Sequence, residues 1–157
     1  MPHVASYIHL ADDAERRLIE ALGMLGQTHA AESEVLHGSR TLIGLSAQNL
    51  AALQPSKRRY EQQHDTVTAH EPEGFFSEPV MRGRDGPIGL LRDLQDVLML
   101  ATLVQSTWTI VEQGARSMKD EALKATCATA LRHNDQQCRW LRTIIEGSSP
   151  QALMMAT

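Results

Sequence analysis

Aromatic side chains are scarce in this chain: two each of Trp, Tyr and Phe make up 4% of its 157 residues. An interior so poor in rings must be filled by aliphatic groups and by some of the seven methionines, which suits packed helices. Cysteine is nearly absent, and Cys127 and Cys138 fall three helical turns apart on one predicted helix, roughly 16 Å. That separation excludes a disulfide between them, so both read as buried thiols in a reducing compartment. Neither charge dominates. The net charge of −4 and the pI near 5.9 exclude a nucleic-acid footprint, since the one basic cluster, Lys57-Arg58-Arg59, is followed by Glu61. Long hydrophobic runs are missing as well. The stretch Val97 to Val104 is too short to cross a bilayer and the opening MPHVASYIHLADDAERR has no apolar signal core, so a soluble, cytoplasmic protein is expected. No Gly-x-Gly-x-x-Gly, Walker or Cys-x-x-Cys sequence occurs.

What remains is punctuation and periodicity. The prolines, at positions 2, 55, 72, 79, 87 and 150, leave long uninterrupted segments with one proline-containing connection. Tyr7, Ala11, Ala14, Leu18, Leu22 and Leu25 recur at helical spacing and predict a first helix over 6–25, ended by Gly23 and Gly26. Thr28 is placed to cap a second, over about 28–53, with Leu36, Ile43 and Leu50 central to its apolar face and Val35, Leu42 and Leu53 beside them. A third, over 86–114, starts at Pro87 with Asp85 or Gly86 as cap and is the most apolar of all. Its face of Leu90, Leu94, Val97, Leu98, Ala101, Val104, Trp108 and Val111 also carries Gln105 and Glu112. A break near 117–120 leads to a fourth helix over 121–146, stopped by Gly147, with an irregular tail over 147–157. The 55–86 segment, with His64, His70, Phe75 and Phe76, is predicted to strap the bundle lengthwise, so that the third helix runs parallel to the second. One all-α domain over 1–157 is expected: two helical hairpins joined by a long crossover.

Together with AERRLIEAL in the first helix, GPIGLLRDLQDV in the third, and RWLRT and SPQAL near the end, this arrangement resembles the ferritin-like superfamily, and within it small bacterial proteins without an assigned function. The resemblance implies a four-helix bundle holding two metals between carboxylates and Glu-x-x-His pairs. Glu34-Val35-Leu36-His37 matches that pattern literally but projects off the apolar face. Glu32 projects inward with His29 beside it, and Glu15 borders the face of the first helix, whereas Asp12, Asp13 and Glu20 turn away. In the fourth helix Asn134 and Gln137 face inward and His133 flanks them, where the superfamily places a second Glu-x-x-His.

At 1.5 Å per residue, Glu15, Ser39, Gln105 and His133 come out in one central layer, with Glu32 and Glu112 to either side. One carboxylate, one imidazole and two neutral groups make a hydrogen-bonded layer that sets helix register. The expected role is therefore a non-catalytic ferritin-like module in which Ser39, Gln105, Asn134 and Gln137 belong to a polar core layer and no cofactor is required. The alternatives are an iron- or manganese-dependent oxidase or storage protein, with Glu15, Glu32, Glu112 and His133 as ligands to iron or another divalent metal, and a small-molecule binding bundle whose pocket lies against Phe75 and Phe76. Leu100, Leu103 and Ile110 project away from the core face of the third helix. They predict a homodimer or higher homo-oligomer, with no nucleic-acid or membrane partner.

Overall fold

The computed structural model describes residues 2–63 and 83–155, so residues 64–82 of the expected strap, with His64, His70, Phe75 and Phe76, lie outside them, while 55–63, expected to belong to the strap, are helical. Among the described residues there are four helices and no strand: α1 (Pro2–Thr28), α2 (Ser33–Gln63), α3 (Gly86–Ser117) and α4 (Glu121–Met154). No helix among them is long and apolar enough to cross a membrane. Each helix packs on two neighbours, α1 on α2 and α3, α4 on α2 and α3, which makes a square with no contact across its diagonals.

Side-chain pairs give the directions. Val4 faces Gly114, Glu15 meets Trp108 and His29 meets Asp93, so α1 and α3 are antiparallel. Ser46 meets Gln137, Asn49 meets His133 and Tyr60 meets Asp120, so α2 and α4 are antiparallel too. Since α1 and α2 are joined by a short turn over 29–32, α2 and α3 point the same way from opposite corners of the square.

Three predicted helix stops are overrun, each because burial beyond the expected stop outweighs a local breaker, and Thr28, expected to cap α2, ends α1 instead, so that α2 starts at Ser33. Helix α1 passes Gly23 and Gly26, since Leu25 is fully buried, His29 is buried just beyond, and Gly26 lies closely against Ser39 of α2. Helix α2 passes Pro55 because its inner stripe continues through Leu53, Ser56 and Tyr60, all buried, while Pro55 itself faces solvent. Helix α4 passes Gly147 and Pro150 to bury Ala152, so the tail is helical rather than irregular as far as Met154. The α3–α4 break falls where the periodicity places it: Lys119 adopts a left-handed φ of 56°, and the Asp120 side chain caps α4 by accepting from Leu123 N at 3.1 Å.

The core is aliphatic, built on Leu18, Leu22, Leu53, Leu94, Leu123 and Leu141, with Trp108 as its one large ring among the fully buried side chains. The inner stripe of α2 keeps Val35, Leu42 and Leu53, expected beside the centre of its apolar face, and leaves out Leu36, Ile43 and Leu50, expected at that centre. It reads Val35, Ser39, Leu42, Ser46, Asn49, Leu53, Ser56 and Tyr60, an alternation of three and four residues in which small polar groups outnumber aliphatic ones. Small side chains allow close approach: a Cβ on Gly38 would stand 2.1 Å from the Trp140 ring, so only glycine fits there.

A candidate polar centre and a buried clasp

Glu15 lies fully buried at mid-bundle. Its Oε1 accepts two hydrogen bonds, from Trp108 Nε1 at 2.9 Å and from Asn49 Nδ2 at 3.0 Å, while Oε2 has no partner. Burial pushes its carboxyl above the ordinary 4.5, and neighbouring Ser46, Trp108 and Asn49 only partly oppose that. Asn49 continues the network, its Oδ1 lying 2.8 Å from His133 Nδ1. Because an amide oxygen only accepts, Nδ1 of that imidazole carries the hydrogen. Beside this chain, Gln137 donates to Ser46 Oγ at 2.8 Å and to the Leu42 carbonyl at 3.0 Å, and accepts from Asn134 at 2.9 Å. All four helices thus contribute to one polar layer.

Of the residues expected in that layer, Glu15 and His133 are brought together, but through Asn49 rather than face to face. Asn134 and Gln137 are fully buried beside them. Ser39 is buried but not at this height: it lies opposite Gly26, and its hydroxyl has no partner. Moving the α1–α2 turn from Gly26 to residues 29–32 moves the partner of Glu15 along α2 from Ser39 to Asn49. Gln105 is only half-buried, and Trp108, one turn on, supplies the polar contact from α3. Glu32 is exposed, since it precedes the first residue of α2 and so never joins the helical face on which it was projected. Glu112 is half-buried and pairs with Arg116 at 3.4 Å, on the side of α3 toward Cys127. Burial, helped by the charges of Glu112 and Asp120, pushes the Cys127 thiol up to about 12, which leaves it inert as a nucleophile. Asp12, expected to turn outward, is buried instead and is held by Arg16, Gln54 and Lys57.

A two-metal carboxylate centre needs several anionic oxygens converging at one height. The layer offers one carboxyl group and one imidazole with an amide between them. The oxygen that would bridge metals already faces two N–H hydrogens, and an indole N–H cannot ligate. These residues do not fit such a centre, and among the described residues no group of three or more His, Cys, Asp or Glu side chains is arranged to hold a metal ion.

A second polar cluster, which the periodicity did not single out, closes the bundle end near the α1–α2 turn. Asp93, fully buried, accepts from His29 Nε2 at 2.8 Å, from Arg84 N at 2.9 Å and from Arg84 Nη1 at 2.8 Å. Arg84 also reaches Asp96 at 2.8 Å, and these two carboxylates raise its already high pKa. The turn before α3 depends on Gly83, whose φ of 71° and position 2.8 Å from Thr28 Oγ1, measured to a would-be Cβ, both exclude a side chain. Asp93 sits inside the apolar run of α3, and one carboxylate at the i+3 position from Leu90 was the available signal. Its partners come from 64 and 9 residues away in sequence, which no local pattern reports.

Compared with family models, with curated proteins and with solved structures, the chain matches none of them.

Proposed function

We propose that the chain is a ferritin-like bundle without catalytic activity, in which a hydrogen-bonded polar layer stands in place of a di-iron centre and fixes how the helices pair. The observation that carries this reading is the convergence of Trp108 Nε1 and Asn49 Nδ2 on Glu15 Oε1. Donors aimed at a carboxyl group satisfy it as a hydrogen-bond acceptor, the opposite of what a cation there requires. The helix directions support the superfamily part of the reading, because two antiparallel hairpins with parallel second and third helices call for a long crossover. The layer's value is specificity: a slipped helix would leave Asn49, Gln137 and Glu15 buried without partners. Anaerobic ferrous titration followed by air oxidation tests it. No saturable uptake is expected. Uptake of two irons per chain that Glu15→Ala and His133→Ala each abolish would establish the metal-dependent alternative instead.

The same reading makes the chain an assembling unit. Between Asp96 and Glu112 α3 carries no charged residue, and Met99 and Ile110 are about half exposed on its outer face, which supports pairing with a second copy. Leu100, expected to need such cover, is buried in the core, and no large hydrophobic of α1 is exposed among the described residues. Light scattering is expected to return a dimer that Met99→Glu converts to monomer. A monomer at high concentration for the unmodified chain would remove this part of the proposal.

A further inference from the structure

Between α2 and α4 runs an open groove of about 550 Å³, walled by Gly38, Thr41 and Leu42 on one side and by Arg132, Arg139 and Trp140 on the other. Its volume is that of a small-molecule site. Gly38 sets its shape, because the Nε1–Cε2–Cζ2 edge of Trp140 lies where a Cβ would stand and the half-buried indole is thereby laid against the α2 backbone. The ring and Leu42 form the apolar wall. Charge on the two helices is one-sided: α2 has no carboxylate from Val35 to Tyr60, and in α4 Asp135 is the one between Ala122 and Ile145. Against it the same stretches hold eight Lys and Arg, four in each helix. In a chain of net charge −4, this side of the bundle is therefore cationic. Asp135 is bonded to Arg139, whereas Arg132 bonds Thr129 at 3.3 Å and no carboxylate among the described residues. Among the described residues lining the groove there is no Asp or Glu.

We infer that this groove binds a small planar aromatic anion. Its acid group accepts from the Arg132 guanidinium, and from Arg139 through the donors that Asp135 leaves, while its ring lies on Trp140 and Leu42. An organic cation meets two guanidiniums there, and a small inorganic anion gains nothing from the indole wall, so neither suits the site. Carboxylate and phosphate share the required chemistry, since the guanidinium fork takes either. An indole already held against Gly38 removes part of the ordering cost of binding. The site uses neither Glu15 nor His133 and stands apart from the mid-bundle layer.

The chain's two Trp give two indole N–H resonances in ¹⁵N spectra, which Trp108→Phe assigns. Titration of the full chain with sodium 2-naphthoate and, separately, with 2-naphthyl phosphate tests the inference, with 2-naphthylmethylammonium chloride, sodium acetate and inorganic phosphate as controls. A shift of the Trp140 resonance that saturates below about 1 mM is expected for at least one of the two aromatic anions, with Trp108 unmoved. The tighter of the two identifies the acid group. Arg132→Gln changes one exposed side chain, leaves the helical spectrum intact and should weaken that anion about tenfold. Calorimetry with Trp140→Leu should show no binding. Equal binding of the naphthylmethylammonium ion would overturn the inference in favour of a merely apolar groove, and equal binding of acetate or inorganic phosphate would leave the ring without a part in it. No shift of Trp140 with either aromatic anion, or binding that Arg132→Gln leaves undiminished, would overturn it as well.

Discussion

Two carboxyl groups of this bundle, Glu15 at mid-length and Asp93 at the turn end, are equally shut off from solvent, and their surroundings treat them in opposite ways. Asp93 receives three N–H donors, one of them from a guanidinium that remains 38% exposed and so keeps its own hydration. Glu15 receives two neutral donors on one oxygen and none on the other, with no cation bonded to it. At the rim a charge can be buried because its counter-charge is not. In the middle no such arrangement is open, and burial shifts the balance toward the neutral acid. One cluster is an ionic clasp and the other a neutral hydrogen-bonded layer.

The sharpest way to break that contrast is to remove the clasp's centre. Asp93→Ala leaves His29 Nε2 and Arg84 N without acceptors at a buried position, and should cost about 3 kcal/mol. Urea unfolding near neutral pH, followed by circular dichroism, measures it. A loss below that of the mid-bundle substitutions would mean that the clasp is not the stronger element. In the layer, Trp108→Phe keeps most of the buried ring but withdraws one donor from Glu15 Oε1, for an expected loss of about 1–2 kcal/mol by the same measurement.

A third site tests whether a rim charge behaves like the clasp. Tyr60 donates to Asp120 Oδ2 at 2.9 Å, and Arg59 also pairs with that carboxylate at 3.0 Å. Burial, then the hydrogen bond and charge of Asp120, push the Tyr60 hydroxyl from 10.0 to about 12. Its folded pKa is above its unfolded one, so its contribution is complete below pH 10 and is lost as pH climbs toward 12. Tyr60→Phe should cost about 1 kcal/mol at neutral pH and flatten that alkaline decline. Stability measured with pH, alongside absorbance titration of the phenolate, checks both.

The helices were legible in the sequence because 3.6-residue periodicity survives over thirty residues, and their order and partners followed from turn lengths. Their ends were not, since Gly26, Pro55 and Gly147 signal stops locally while the packing that overrides them is tertiary. That error propagated into the site. Glu15, His133, Asn134 and Gln137 were found because each lies on or beside an apolar face, whereas a turn misplaced by a few residues substituted Ser39 for Asn49. Trp108 counts in the periodicity as apolar filling, because its N–H leaves no trace in sequence until a partner stands opposite. The clasp was missed for another reason: Asp93 looks like a stray charge until Arg84 and His29 arrive from other parts of the chain.

The smallest expected effect is also the most discriminating. Glu15→Gln preserves the shape of the neutral acid: its carbonyl oxygen can still accept from Trp108 and Asn49, and its amide takes the place of Oε2, which has no partner to lose. At pH 4 the two proteins should therefore agree within about 1 kcal/mol. As pH rises past the ordinary 4.5, the unfolded chain ionises Glu15 while the folded chain still holds its proton. The folded state then binds more protons than the unfolded one, so this residue makes stability fall with rising pH until the raised folded value is passed. Glutamine has no proton to lose. The variant should thus gain on the unmodified chain from about pH 5 upward, and the gap should level off once folded Glu15 ionises. Thermal unfolding of both proteins at intervals from pH 4 to 8 measures the gap. A gap of constant size would mean that Glu15 is not held as the neutral acid. A gap of opposite sign would mean that it is held as an ion like Asp93, and the contrast between the two carboxyl groups would disappear.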